Sequence, residues 1–381
     1  MSILHIVPAQ TGHTLDFMKI IRKAFTAEEH QFMTMISRIG VIKGCPQLLA
    51  IPDLITLDVN GHFKIIKKML FIFKKLKKAD HIIWHTFPSV TGIPLTFLFL
   101  FSFICNKSTW IVQGDDINSW PLPGGKFKKT LYNHFHKIIR KKISSLGVIF
   151  ESDKKVLLNL SYVNKDIWHT PYPIKRNLIE KYNNLKRENP MKTRVNIQLG
   201  MSSQIFNHHI KYIKKLVKYK EEDIFIFLPM NYYYSGNTIR SGTKLYINSI
   251  LKLKKNVLKN KLFVLKNEVT DEAYAKFLMQ IQIAIFDNTT IIYPWIILDY
   301  LKAGKKVFLP SDTALYNYLK ECGATIYPSD SIGNIDFNEF ADLSEPIIFP
   351  HKLDLYYSED YIINEWTKFF RSIKEKKLKK R

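Results

Sequence analysis

A chain of 381 residues is longer than a single hydrophobic core usually serves, so two domains are expected. An apolar fraction of 46% with 13% aromatic residues excludes a disordered chain, and three widely spaced cysteines, Cys45, Cys105 and Cys322, exclude a disulfide framework and a cysteine zinc site. The net charge of +24 asks for a phosphate-bearing partner: nucleic acid, an anionic bilayer, or a nucleotide or lipid diphosphate.

Ser2-Ile3-Leu4-His5-Ile6-Val7 runs into Pro8 and a polar turn, which reads as a first strand and not as the apolar core of a secretory signal. Further strands are expected at 31–36, 81–84, 109–112 and 147–151, then at 195–199, 224–228, 262–265, 283–286, 306–309 and 324–327. Several are unbroken β-branched or aromatic runs, the pattern of strands buried on both faces of a parallel sheet. Helical segments fall between them at 206–219, 238–257, 271–279, 295–302 and 314–321, with a last one at 361–374. Such alternation predicts doubly wound α/β domains. The prolines of Thr170-Pro171-Tyr172-Pro173 make a stiff extended hinge, followed by a polar helical stretch at 177–188. One domain is therefore placed at residues 1–173 and a second at 174–355. Residues 356–381 supply a helix returning to the first domain and a basic tail. Two Rossmann-like domains bind ligands in the cleft where they face each other, outside the carboxyl ends of their strands.

Part of the positive charge is compositional, because Ile, Asn and Tyr are abundant too, but composition does not explain the clustering. Residues 64–78 hold seven lysines and no acid, with Ile65, Met69, Ile72 and Leu76 at helical spacing. Residues 126–142 interleave Phe127, Leu131, Phe135, Ile138 and Ile139 with seven Lys or Arg. Cationic amphipathic helices of this kind suit an anionic lipid surface, although a core-facing helix with a solvated basic face has the same pattern. The apolar run at 93–105 rises only about 20 Å as a helix, too short for a hydrocarbon core of about 30 Å. It is read as buried or half-inserted. A nucleic-acid backbone would also accept such charge, but no recognisable nucleic-acid module is present, so no nucleic acid is expected.

The chain has no G-x-G-x-x-G after its first strand, no P-loop, no G-x-S-x-G elbow and no H-E-x-x-H. What remains is chemistry in loops at strand ends. Gln113-Gly114-Asp115-Asp116 puts two carboxylates at a strand's carboxyl end, where one can deprotonate an acceptor hydroxyl; an acid pair capping a helix is the alternative. Gly200-Met201-Ser202-Ser203-Gln204 opens a helix carrying Asn207, His208 and His209, an arrangement of N–H groups and hydroxyls suited to phosphate. Pro229-Met230-Asn231-Tyr232-Tyr233-Tyr234 offers tyrosines for stacking on a base or sugar, and Asp287-Asn288-Thr289-Thr290 closes another strand.

In this order, the loops resemble the TDP-N-acetylfucosamine:lipid II N-acetylfucosaminyltransferases of enterobacterial common antigen (the 4-alpha-L-fucosyltransferase family). The family's W-x-x-W-G-x-D segment is similar to Trp110, Gly114 and Asp116, with Gln113 in place of the second tryptophan. Its donor loop resembles Gly200, Ser202, Ser203, Asn207 and His209, and its P-M-G-Y segment resembles Pro229-Met230-Asn231-Tyr232. Asp271-Glu272-Ala273-Tyr274 and the Ala303-Gly304 strand entry also match. One departure is Ile291–Ile296, where bulky residues stand in place of the family's glycines and leave the donor sugar open.

The resemblance implies a GT-B fold and a nucleotide-sugar donor, TDP favoured, bound by the second domain. It further implies an undecaprenyl-diphosphate-linked glycan as acceptor. On that basis Asp116 is the expected general base, with His85 and His13 as further pocket residues. Gly200, Ser202, Ser203, Asn207 and His209 are expected at the diphosphate, Pro229, Met230 and Tyr232 at the nucleoside, and Asn288 and Thr289 at the sugar. No metal or other cofactor is expected, since a D-x-D metal motif is absent. The expected location is the cytoplasmic face of the inner membrane, as a peripheral enzyme of common-antigen or O-antigen lipopolysaccharide assembly. A non-catalytic nucleotide-sugar or nucleic-acid binding protein on the same scaffold is the alternative.

Overall fold

The computed structural model describes residues 1–7, 12–26, 29–34, 48, 51, 53–58, 64–85, 102–112, 141–159, 165–173, 194–202, 207–230, 241–254, 258–265, 271–287, 294–356 and 358–379. The chain divides into two units, Met1–Ile174 with Leu355–Arg381, and Lys175–Asp354.

The first unit contains β1 (Ile3–Val7), α1 (Gly12–Ala24), β2 (His30–Thr34), α2 (Lys64–Lys78), β3 (His81–Trp84), α3 (Ser102–Cys105), β4 (Ser108–Val112), β5 (Ser145–Val148), α4 (Glu151–Asn159) and β6 (Asp166–His169). Its sheet is parallel throughout, in the order β2-β1-β3-β4-β5-β6. The order reverses between β1 and β3, so the loops after these two strands flank the switch point of the sheet. Strand alternation sends Leu4, Ile6, Ile82, Trp84, Trp110 and Val112 to one face, where Ile72 and Leu76 of α2 cover them. β5 closes tightly: a Cβ on Gly147 would lie 2.4 Å from Ile111 and 2.6 Å from the Thr170 hydroxyl, so the strand needs glycine there.

The other face is unusual for a buried sheet because it is polar. Register pairs His5 with Phe32 on β2 and Ile83 on β3, which sets His30 and His85 on a diagonal either side of His5. His5 Nε2 lies 3.0 Å from His30 Nδ1, His5 Nδ1 lies 2.9 Å from His85 Nε2, and His85 Nδ1 bonds the Tyr172 hydroxyl. A second row joins His81 to Thr109 at 2.8 Å and Thr109 to Ser145 at 2.6 Å. These groups are satisfied by one another, which is the condition for burying them.

Phe17 of α1 and the helix Glu359–Leu378 cover this face, the latter through Ile362, Trp366, Phe369, Phe370 and Ile373. Trp366 also donates to the Pro171 carbonyl at 2.9 Å. The helix's lysines pair with Glu29, Asp80 and Asp166. These pairs are largely exposed and worth about 0–1 kcal/mol each, against about 1.5–3 kcal/mol for each buried apolar side chain, so burial holds the helix in place.

The second unit contains β7 (Val195–Leu199), α5 (His209–Leu216), β8 (Ile224–Pro229), α6 (Ser241–Leu253), β9 (Leu262–Leu265), α7 (Asp271–Gln280), β10 (Ile283–Ile285), α8 (Pro294–Lys302), β11 (Lys306–Leu309), α9 (Ala314–Glu321), β12 (Tyr327–Pro328), α10 (Phe337–Ala341) and α11 (His351–Tyr356), the last ending in the first unit's return. The helix Glu359–Leu378 is α12. This sheet is also parallel, in the order β12-β11-β10-β7-β8-β9, which reverses between β7 and β10. Ile197, Leu199, Ile226, Leu228, Ile283 and Ile285 meet Tyr212, Ile213 and Leu216 of α5 in its core.

The strands expected from sequence differ from these in three places. The strand expected at 147–151 lies earlier, because Glu151 opens α4. That expected at 324–327 is reduced to Tyr327–Pro328. β6 was not anticipated: Asp-Ile-Trp-His is a short edge strand without an apolar run. The expected helix at 177–188 and most of the basic segment at 126–142 lie outside the described residues.

Burial lowers His30 to about 4 and His81 and His85 to about 3, and lowers His5 well below the usual range. In the unfolded chain these rings titrate near about 6.5. Above that pH both states are neutral; below it the unfolded chain takes up protons that the folded one refuses, so stability falls. Between about pH 6.5 and 4 the first unit should lose about 1.4 kcal/mol per ring for each pH unit. Urea melts at about pH 7.5, 6 and 5 should therefore show a falling midpoint, and a constant midpoint would contradict neutral burial of the rings.

Candidate functional site

In the second unit, the switch point lies between the loops that follow β7 and β10. β7 ends at Leu199, and Gly200 turns the chain with φ +69°, a left-handed conformation that favours glycine. Its N–H donates to the Ile285 carbonyl at 2.9 Å, and its own carbonyl accepts from Gln198 Nε2 at 2.9 Å. Tyr300 in turn donates to Gln198. Both ends of the following loop are pinned by Asn207, which is fully buried. Its Oδ1 accepts from the Met201 N–H at 3.1 Å, and its Nδ2 donates to the Ser202 carbonyl at 3.2 Å and hydroxyl at 3.0 Å.

α5 starts at His209, directly after His208, itself left-handed at φ 46°. The Tyr246 hydroxyl accepts from the His209 backbone N–H at 3.0 Å and lies 3.1 Å from its Nδ1. Burial pushes Tyr246 up to about 12, so its hydroxyl keeps its proton and can donate to Nδ1. Burial, with His208 beside it, lowers His209 to about 3. A neutral ring that accepts at Nδ1 carries its proton on Nε2. That Nε2 is buried and has no hydrogen-bond partner among the described residues. It faces Gly200 so closely that a Cβ there would approach it to 2.3 Å. Thus a buried imidazole nitrogen without a partner, a donor whenever Nδ1 accepts from Tyr246, stands at the amino end of a helix, at the carboxyl edge of the sheet. An orphaned donor costs about 1–3 kcal/mol, and an anionic oxygen would satisfy it.

Asp287 borders the same point from the β10 side. It is buried, its Oδ2 lies 2.9 Å from Lys211 Nζ and 3.2 Å from His208 Nδ1, and its Oδ1 has no hydrogen-bond partner among the described residues. Lys211 and Tyr246 were not singled out in the sequence, and Asp287 was named only as the head of the loop that closes β10. An acid directly after an apolar strand was the available signal for Asp287.

Of the expected donor-site residues, Gly200, Ser202, Asn207 and His209 come together here. Pro229 ends β8. Met230 is fully buried in the core, with its N–H on the Leu265 carbonyl at 2.7 Å. In the first unit, His85 follows β3 at the switch point, buried in the imidazole chain and stacked on Trp366 at 6.0 Å. His13 lies in α1, and its side chain is outside the described residues, as are Asp116, Ser203, Tyr232, Asn288 and Thr289.

No family model matches the sequence, and no curated protein matches it. Solved structures do match along nearly the whole chain. A glycosyltransferase from Rickettsia africae is 15% identical, with 98% of each chain covered and a TM-score of 0.64. Sucrose-phosphate synthase from Thermosynechococcus elongatus is 11% identical over 98% of this chain and 99% of that one, with a TM-score of 0.66. The fold is GT-B. Anabaena Alr3699/HepE, solved with UDP and glucose, has the same fold at 11% identity, covering 98% of this chain and all of its own, with a TM-score of 0.62.

The Gly200 turn tolerates no side chain without strain, being left-handed and packed against His209. Gly200→Ala should destabilise the second unit by about 1–3 kcal/mol, through left-handed strain and collision with His209. Urea denaturation measures it, and an unchanged midpoint would mean that the loop adopts another path.

Proposed function

We propose that this chain is a glycosyltransferase that binds a nucleoside-diphosphate sugar through its second unit. The observation that carries this reading is the unpartnered Nε2 of buried His209 beside Gly200, at the start of α5 and at the switch point of a GT-B sheet. A diphosphate oxygen would complete that donor, and the positive end of α5 would help to hold the leaving group without a metal. The Anabaena structure that contains UDP and glucose supports a nucleotide-sugar ligand for this scaffold. In this reading Ser202, Ser203 and Asn207 shape the diphosphate loop, Pro229 and Tyr232 lie at the nucleoside with the buried Met230 supporting them from the core, and Asn288 and Thr289 lie at the sugar. The donor is an amino- or deoxy-sugar, with TDP favoured over other nucleotides. Asp116, with His13 near it, takes the proton of the acceptor hydroxyl as the sugar leaves the diphosphate, while His85, its two ring nitrogens bonded to His5 and Tyr172, backs that site from within the unit.

The acceptor in this proposal is an undecaprenyl-diphosphate-linked glycan, met at the cytoplasmic face of the inner membrane. Support comes from α2, whose exposed Ile66 and Leu70 stand one turn apart among the lysines, near the exposed Phe103 of α3. Apolar side chains that enter a bilayer, ringed by cations that remain at its surface, suit peripheral binding to anionic lipid. Among the described residues no helix is long and apolar enough to cross a membrane.

Thermal stability measured with TDP, UDP, GDP and CMP, with and without magnesium, should rise selectively with TDP and be independent of the metal. A flat response to all four would remove the donor site. His209→Ala should weaken nucleotide binding by about tenfold in a protein that remains folded by circular dichroism. Asp116→Asn should lower the transfer rate by about 10²–10⁴-fold, and a wild-type rate would show that another group is the base. Replacing Ile66 and Leu70 together by Gln should release the protein from anionic vesicles while nucleotide binding stays intact.

A further inference from the structure

The imidazole chain of the first unit has an open end. His30 begins β2 at the amino edge of the sheet, away from the switch-point loops. There it lines a cavity of about 180 Å³ whose walls include Phe25, Glu29, Phe370, Arg371 and Lys374. Its ring is packed between Phe25 and Phe370, with centroids at 5.0 and 4.5 Å, and its Nδ1 is taken by His5. Its Nε2 has no hydrogen bond among the described residues, and neither an ion pair nor a hydrogen bond engages Arg371 among them. Lys374 and the Met1 ammonium lie 3.2 and 3.8 Å from Glu29, so with Arg371 the walls carry three cations against one carboxylate.

Four groups in line allow two proton arrangements with neutral rings. In one, Tyr172 donates to His85 Nδ1, His85 Nε2–H to His5 Nδ1 and His5 Nε2–H to His30 Nδ1, leaving a proton on His30 Nε2 at the cavity. In the other, every bond is reversed. His30 then presents a lone pair to the cavity, and Tyr172 accepts from His85. Each ring's choice fixes that of its neighbour, because a bond with two donors or two acceptors facing each other costs about 1–3 kcal/mol in a buried setting. The chain is therefore a coupled two-state element, running from this cavity to Tyr172, two residues before the point where the first unit ends at Ile174.

We propose that the cavity is a binding site for a small oxyanion, phosphate or carboxylate, held by Arg371 and the Nε2–H of His30, and that its occupancy sets the proton order of the whole chain as far as Tyr172. An anionic oxygen accepts hydrogen bonds and does not donate them, so only the first arrangement serves it. Phe25 and Phe370 shield the bond from water on either side of the ring. The inference stands apart from the transferase reading, and none of its measurements is an activity.

The test uses the full chain with its histidines labelled with ¹⁵N, titrated with inorganic phosphate, with acetate, and with chloride as a control, at about pH 7.5 where all these rings are neutral. The expected result is saturable binding of phosphate or acetate, with His30, His5 and His85 moving together to the Nε2–H form. Whichever anion binds more tightly identifies the class. Arg371 is exposed on α12, so Arg371→Ala should fold normally; it should weaken binding by about tenfold. Arg371→Lys should restore part of the loss. Equal binding by wild type and Arg371→Ala, a response to chloride equal to that of the oxyanions, or a His30 tautomer that is unchanged at saturation would each overturn the proposal.

Discussion

Parallel pairing governs this molecule. A parallel strand cannot be reached by a tight hairpin, so each connection must cross a face of the sheet, and both faces become buried. All strands then end on the same edge, so the loops that follow them gather at one place. In the second unit this brings the Gly200 turn, the start of α5 and Asp287 to either side of the β7–β10 reversal. In the first unit it brings His85 to the β1–β3 reversal. The positions of the candidate residues thus follow from topology before any ligand is considered.

Burial on both faces also explains the interior polarity of the first unit. His5, His30 and His81 lie on largely apolar strands and His85 directly after one, and a lone imidazole there would be costly. Diagonal spacing across three strands lets the rings serve as one another's partners, and aromatic side chains of α1 and α12 close over them. The second unit handles its buried charge by a different route. Lys306, at the start of β11, donates to the carbonyls of Glu339 and Asp342 at 2.8 and 3.0 Å, using unpaired backbone groups at the end of α10.

The architecture was legible because it rests on period. Runs such as Ile224–Leu228 and Leu262–Leu265 can hardly be anything but strands, and α2, α7 and α9 fall where apolar spacing puts them. β6 was not legible because Asp166 and His169 find their partners, Lys376 and Tyr361, in the last helix, far along the chain. At the candidate site, Gly200, Ser202, Asn207 and His209 could be read from a glycine and polar residues at a helix mouth. The unpartnered Nε2 of His209 could not, since it depends on Tyr246 of α6 occupying the other nitrogen. The pairing of Asp287 with Lys211 was hidden for the same reason: it joins loops that meet only across the sheet.

The first unit is discontinuous, with α12 contributed by the end of the chain and Trp366 bonded to a carbonyl 195 residues earlier. During synthesis, the second unit has all its strands before the first has its cover. Until α12 is made, β1–β3 expose a sheet face that is part aromatic and part imidazole, a surface that invites chaperones or premature association. The order of maturation therefore inverts the order of the sequence: the half that is made first is completed last, and any truncation at the carboxyl end falls on the amino-terminal half.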